Sequence, residues 1–333
     1  MLKRKTLICA VLGLLLSSLL AWPPLFAQSH SALTVWSTPV NLGPVINSPY
    51  TDQHPAISKD GLSLYLTSDR PGGFGGMDLW VSQRAGVDIP WGPPINLGPN
   101  INTSGNENAP NLSIDGHRLY FGSTRPGGFG SSDIYVSHRQ DKADDFGWDV
   151  PVNLGPNINT LDGENGPSIF EDEVTGVTTL YFNRFVIGDY DIYASTQNED
   201  NSFNPAVIVP ELSSPYRDTR TAIRRDGLEI FISTERPGGV DLRDLWVSTR
   251  LTTNDPWGTP TNLGTPVNST ALEGAPALSF DGTTLYFFSN RAGGFGGLDL
   301  YVTTRGNPHT EEFVDNNEVE NLKSDEGSST QPR

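Results

Sequence analysis

The sequence predicts an all-β protein, a five-bladed β-propeller with four antiparallel strands per blade. Three observations carry that prediction. The first is a repeat of about 55 residues, read five times: a Trp-x-x-Pro-x-Asn-Leu-Gly run, an acid, a Ser-x-Asp-Gly turn, a Leu-Tyr-Phe strand, an Arg before glycines, and an Asp-Leu-Tyr-Val strand. The turn aspartates Asp60, Asp115, Asp226 and Asp281 lie 55, 111 and 55 residues apart, and the long interval holds one divergent repeat without the Asp-Gly pair. Periods of this size signal blades or stacked units. The second is a displaced strand: Trp36 to Gly43 carries the closing motif with no blade before it, while the last unit ends at Tyr301 to Thr304 without its own fourth strand. Each supplies what the other lacks, so the ring is expected to close between first and last blades and leave no large edge. The third is composition, with 35 Gly, 26 Pro and 18% charged residues, which suits short strands joined by tight turns.

In chain order, residues 1–27 read as a secretory signal. Lys3, Arg4 and Lys5 precede an apolar run from Leu7 to Leu20, which is short for a membrane span, and a cleavage site is expected after Ala27. The propeller occupies 28–305, with blades near 47–98, 102–155, 159–212, 213–264, and 268–305 plus 33–43. Within the second blade, Ala109 to Ser113, Leu119 to Ser123, Ile134 to Ser137 and Trp148 to Leu154 read as strands, since alternating side chains such as Leu119 and Phe121 against Tyr120 suit a sheet covered on both faces. Residues 306–333 form an acidic tail, expected to be disordered because it is too polar to fold alone.

The net charge of −17 disfavours nucleic acid and anionic membranes as partners. The single cysteine, Cys9, falls in the signal, so disulfide and thiolate chemistry are excluded from the exported chain.

The segments Ser113 to Phe121 and Ser123-Thr124-Arg125 leading to Asp133-Ile134-Tyr135 resemble the WD40-like β-propeller repeat of TolB-type periplasmic proteins. The resemblance covers residues 33–305. It implies blades, and it is shared by protein-binding modules, peptidase accessory domains and many other exported chains. The helical N-terminal domain of TolB-type proteins has no counterpart here.

Three charged positions recur. An acid precedes the first strand at Asp52, Glu107, Glu164, Asp218 and Glu273; an arginine ends the second at Arg70, Arg125, Arg184, Arg236 and Arg291; an aspartate opens the third at Asp78, Asp133, Asp191, Asp244 and Asp299. All lie at one end of neighbouring strands, so the planar guanidinium is expected to bridge two carboxylates as a structural clasp. The functional alternative is a ring of five carboxylates at the channel mouth holding a cation, for which acids already engaged by arginine are poor ligands. No cofactor and no metal site is expected.

The loops Arg70 to Gly76, Arg125 to Gly130 and Arg291 to Gly297 join strand to strand and so are not phosphate loops. Phe74, Phe129 and Phe295 at their tips are expected to be staples against the adjacent blade, or, if exposed, a platform for a sugar or peptide. His54 stands between Asp52 and Pro55 where other blades have Ala, Gly or Arg, hence close to the channel. The histidines show no metal spacing and no classical catalytic set is visible.

Local function is expected where the repeats break their rule. The third blade replaces its Gly-rich loop with Phe185 to Tyr190 and enlarges its first turn with Glu171 to Gly176, while the fourth adds Arg217, Arg220, Arg224 and Arg225 beside Glu235, Asp241 and Arg243. That basic cluster would either meet an acidic partner or anionic sugar, or pair with the third blade's acids.

The leading functional expectation is an exported, non-catalytic binding or protein-interaction module of the bacterial cell envelope or exterior, periplasmic or extracellular. It would be monomeric, without stable membrane insertion after signal cleavage, and its partner an envelope or extracellular protein, or a glycan. The second expectation is a carbohydrate-binding or glycoside-hydrolase propeller with its site at the channel mouth. In either case Asp52, His54, Glu107, Glu164, Asp218, Arg220, Arg224 and Glu273 are the expected mouth residues. A concave aromatic pocket with unpaired carboxylates would favour sugar, and paired carboxylates on a flat rim the scaffold.

Overall fold

The computed structural model describes residues 35–306. The expected signal segment and the acidic tail lie outside the described residues, except Gly306. Among the described residues, twenty strands form five four-stranded antiparallel sheets. Blade one holds β2 (Asp52–Ile57), β3 (Ser63–Ser68), β4 (Asp78–Gln83) and β5 (Ile95–Asn96). Blade two holds β6 (Glu107–Leu112), β7 (Arg118–Ser123), β8 (Asp133–His138) and β9 (Val152–Asn153). Blade three is β10 (Gly163–Glu171), β11 (Thr178–Val186), β12 (Asp189–Thr196) and β13 (Val207–Ile208). Blade four is β14 (Asp218–Ile223), β15 (Glu229–Thr234), β16 (Asp244–Thr249) and β17 (Thr261–Asn262).

Blade five combines β18 (Glu273–Leu278), β19 (Thr284–Ser289) and β20 (Asp299–Thr304) with β1 (Val40–Asn41) from the other end of the chain. Val40 pairs with Val302 and Asn41 with Tyr301, so the displaced Trp36 strand closes the ring. The fourth strands are only two residues long. Trp148, expected within a strand, instead is buried between blades one and two.

Five apolar cores occupy the five blade interfaces. Period-2 alternation sends Leu64 and Leu66 to the interface with blade five and Tyr65 to that with blade two. Because both faces of each sheet are covered, the strands are buried almost throughout, as in SLYLTS of β3.

The innermost strands share a bulge that the sequence analysis did not anticipate. His54, Ala109, Gly166, Arg220 and Ala275 occupy one position in each blade, and all have positive φ, from 43° to 64°. The register shifts there in the pairing of first with second strand of every blade. Four of the five are not glycine, a conformation costing about 1–3 kcal/mol each. Part of the return is inter-blade bonding, since the freed amides of Ala109 and Ala275 donate to Thr67 Oγ1 (3.1 Å) and Ser233 Oγ (2.8 Å) of the preceding blade.

Candidate functional site at the channel mouth

The recurrent charges hold the blades together, though not in the arrangement expected. Each second-strand arginine pairs with the first-strand acid of its own blade: Arg70 with Asp52, Arg125 with Glu107 (3.5 Å), Arg184 with Glu164 (2.8 Å), Arg236 with Asp218 (2.7 Å) and Arg291 with Glu273 (2.9 Å). The same guanidinium donates to the carbonyl of Ile46, Ile101, Ile158, Leu212 or Val267 and lies over a third-strand aromatic ring, as Arg184 does over Tyr193 at 4.4 Å.

The third-strand aspartates are not part of this clasp. Asp78, Asp133 and Asp299 accept the backbone amides of Phe74, Phe129 and Phe295 (2.5–2.6 Å), and Asp244 accepts that of Val240. They also accept the side-chain amides of Asn96, Asn153, Asn41 and Asn262. The physical reason is supply: the Gly-rich loop and the Asn-Leu-Gly motif bring several N–H groups to the aspartate, while the arginine is turned to the first-strand acid and a loop carbonyl and, in four blades, to a serine or threonine hydroxyl.

All five first-strand acids are fully buried, at 0% exposure. They are therefore not mouth residues and their oxygens are not available to a cation, which corrects the expected ring of binding carboxylates.

A second set of arginines escaped the sequence reading. Arg84, Arg139, Arg250 and Arg305 end the third strands, donate to the carbonyls of the turn glycines Gly61, Gly116, Gly227 and Gly282, and stack on Trp91, Trp148, Trp257 and Trp36 at 4.2–4.5 Å. One pair of contacts thus explains both the Trp and the Asp-Gly of the repeat. The signal was present, as an Arg six residues after the third-strand aspartate in four blades, but the third blade has Gln197 there and breaks the pattern.

The candidate site is what the bulge position leaves inside the channel. Arg220 reaches from blade four across to blade two, donating Nη1 to the Ala109 carbonyl (2.8 Å) and Nη2 to the Pro110 carbonyl (2.7 Å), with a longer contact to Pro167 (3.3 Å). It is 3% exposed, has no carboxylate partner among the described residues, and its Nε is left without a hydrogen bond. Burial pushes its pKa down to about 9.

Above Arg220 lies a cavity of about 240 Å³. His54, packed edge-on against Phe288 with ring centroids 5.8 Å apart, forms part of its wall. Burial first, then Arg220 and Arg243, hold the His54 pKa down to about 3, so the ring is neutral at physiological pH, and its Nδ1 has no partner. Gln53, Asn165, Asn183 and Thr219 add hydrogen-bonding groups, Leu272 and Leu298 an apolar side, and Tyr190 carries Arg217 over its ring at 4.7 Å. Arg243, paired with Glu235 at 2.7 Å, completes the rim. No Asp or Glu lines the cavity among the described residues.

The fourth-blade arginines therefore divide. Arg217, Arg220 and Arg243 belong to the mouth, whereas Arg224, expected there, lies in the pocket on the far side of Arg220 and pairs with Asp226 (2.8 Å) and Glu229 (3.5 Å). Arg225 pairs with the third-blade Glu173 at 2.6 Å. Their position is a consequence of β14 running through the ring: two turns of alternation beyond Arg220 carry the chain to its other face.

Blade three carries a second departure. Its short hairpin and its Val207–Ile208 fourth strand supply neither the loop amides nor the asparagine, so Asp191 lacks both partners of its four counterparts. Burial, then Asp189 and Asp218, raise its pKa. It is the recurrent acid released from scaffold duty, one residue along β12 from Tyr190. Phe74, Phe129 and Phe295 are 45–51% exposed, so they are not staples but stand out from the loop tips.

No family model matches the chain, and no curated protein matches it. Solved structures do. The α-L-arabinofuranosidase of Podospora anserina, determined in complex with cellotriose, is 14% identical and superposes with a TM-score of 0.54, covering 83% of this chain and 98% of its own. That of Lactobacillus brevis is 14% identical with a TM-score of 0.55, over 79% and 92% of the two chains. The GH43_1 enzyme from Xanthomonas citri, complexed with xylotriose, is 15% identical with a TM-score of 0.52, over 81% and 89%. Likeness at this identity shows the shared five-bladed fold. The leading expectation of a non-catalytic protein-interaction module is corrected on this finding: the three solved structures named here are glycoside hydrolases, and the expected envelope-protein partner finds no support among them.

Proposed function

We propose that the chain is an exported carbohydrate-active propeller whose sugar site is the cavity above Arg220, with hydrolysis of glycosidic bonds as its reaction class. The observation that carries this reading is the cavity's construction: a concave opening at the channel axis, with amide and hydroxyl groups of Gln53, Asn165, Asn183 and Thr219 on its wall and the apolar Phe288, Leu272 and Leu298 beside them. A sugar ring has the same division, with hydroxyls at its edge and C–H groups on its faces. The exposed phenylalanines of blades one, two and five stand on the same side of the ring, where they would serve an extended chain.

Hydrolysis with paired carboxylates needs an acid held protonated. The first-strand acids are committed to arginine; Asp191, whose pKa is raised by burial first and then by Asp189 and Asp218, is not among the residues lining the cavity but follows Tyr190, which is, and it is the acid we test for proton donation. The blade repeat that resembles WD40-like repeats is, in this reading, scaffold, and the reading of residues 1–27 as a signal places the activity outside the cytoplasm.

The test is a thermal-shift panel of neutral and charged oligosaccharides on the full chain, followed by a reducing-sugar assay on those that bind. Binding raises the melting temperature by mass action. Sugar release by the parent chain that falls at least tenfold in Asp191→Asn supports the assignment. Release unchanged by that substitution removes Asp191 from the mechanism, and a panel without any binder removes the carbohydrate reading.

A further inference from the structure

We propose that the channel-mouth cavity recognises a carboxylate carried by its sugar, so that its ligand is a glycan containing uronic acid. The inference rests on the carbohydrate reading above and specifies its ligand class. In a chain of net charge −17, the cavity presents three guanidinium groups, Arg217, Arg220 and Arg243, and no acid among the described residues that line it. One of these, Arg243, is already paired with Glu235 on the rim. The other two have no carboxylate partner among the described residues, and Arg220 at the floor is 3% exposed. Elsewhere in the ring, every arginine that ends a second strand has its own buried acid.

A guanidinium taken out of water with only carbonyl acceptors is stabilised strongly by an anion, and its planar fork favours a carboxylate. The remaining free valences point to the same kind of ligand. Arg220 Nε and His54 Nδ1 are both buried without a hydrogen-bond partner. His54 is held neutral, so it can accept from a sugar hydroxyl or donate to the carboxylate according to its tautomer. Gln53, Asn165 and Asn183 suit the hydroxyls of a ring, which a simple inorganic anion would leave unused. The acidic exterior repels polyanions from the rest of the surface, leaving this opening as the favourable point of approach.

The experiment compares, by calorimetry on the full chain, oligogalacturonate and glucuronate-bearing oligosaccharides with their methyl esters, with neutral xylo-oligosaccharides, and with acetate. The expected result is that an acidic oligosaccharide binds at least tenfold tighter than its ester, that added salt weakens the difference, and that Arg217→Ala at the exposed rim lowers affinity about tenfold without changing the melting temperature. Equal binding of acid and ester overturns the carboxylate inference while leaving the sugar site intact. Acetate binding as tightly as the acidic oligosaccharides overturns its sugar component. Failure of every glycan, charged or neutral, overturns the carbohydrate reading and this inference with it.

Discussion

The clasp arginines, partly buried, and Arg220, fully buried, are the same residue type in one ring, yet they live in opposite electrostatic settings. Arg125 lies on Glu107, whose oxygens also accept from Thr103 and Ser123, so the charges and hydrogen bonds are closed. Arg220 has three carbonyl acceptors and an idle Nε. The difference separates architecture from site. The acid–arginine pair that recurs in every blade is complete within the protein, whereas the charge that occurs once, at a position where other blades have His, Ala or Gly, is incomplete without something else.

The largest test of that contrast is Glu107→Ala. Removing the acid strands a mostly buried guanidinium and should cost about 3–5 kcal/mol, read as a lower midpoint in urea unfolding. Stability unchanged within error would mean that the clasps are ornamental. Next comes His54. Its folded pKa of about 3 lies below the ordinary 6.5, so the unfolded chain takes up a proton that the folded chain refuses. The stability present above pH 6.5 is therefore lost progressively as pH falls toward 3, and His54→Gln should flatten the decline of the melting temperature across that window. An identical pH slope in both proteins would show that the imidazole is solvated.

Arg220→Met should behave unlike Glu107→Ala. It removes an uncompensated charge while leaving the Ala109 and Pro110 carbonyls without their donor, so the net cost should be only about 1 kcal/mol, yet acidic glycan binding should disappear. A loss of stability as large as that of Glu107→Ala would make Arg220 a structural strut. The smallest effect is expected of Phe129→Ser, within about 0.5 kcal/mol because the ring is half-exposed at the loop tip, with any consequence confined to long oligosaccharides.

The fold was legible because it is written five times. Period, strand alternation and the orphan strand around Trp36 each depend only on residue type and spacing, and each blade repeats the message. The clasp was half legible. Acid and arginine share a strand end, so the pairing of Arg70 with Asp52 follows from spacing, but the destination of Asp78 depends on where the amides of Phe74 and Asn96 arrive in space. The site was the least legible. Arg217, Arg220, Arg224 and Arg225 are close in sequence, and only the direction of β14 through the ring assigns the first two to one mouth and the last two to the other face. The bulge that aims His54 and Arg220 into the channel leaves no mark in the sequence, because Ala, Gly, His and Arg all occupy it.

The pairing of Val40 with Val302 has a bearing on how the molecule is assembled in time. A chain made from its N-terminus would finish four blades before the partner of its first strand exists, and the ring would remain an open spiral until residue 304 has emerged. Joining the two ends and opening the chain instead at the exposed Pro99-Asn100 connection would turn that last, longest-range union into a neighbouring hairpin. Such a permutant should reach the same ring faster, and the difference in refolding rate would measure how much of the journey to the native state is spent waiting for the ends to meet.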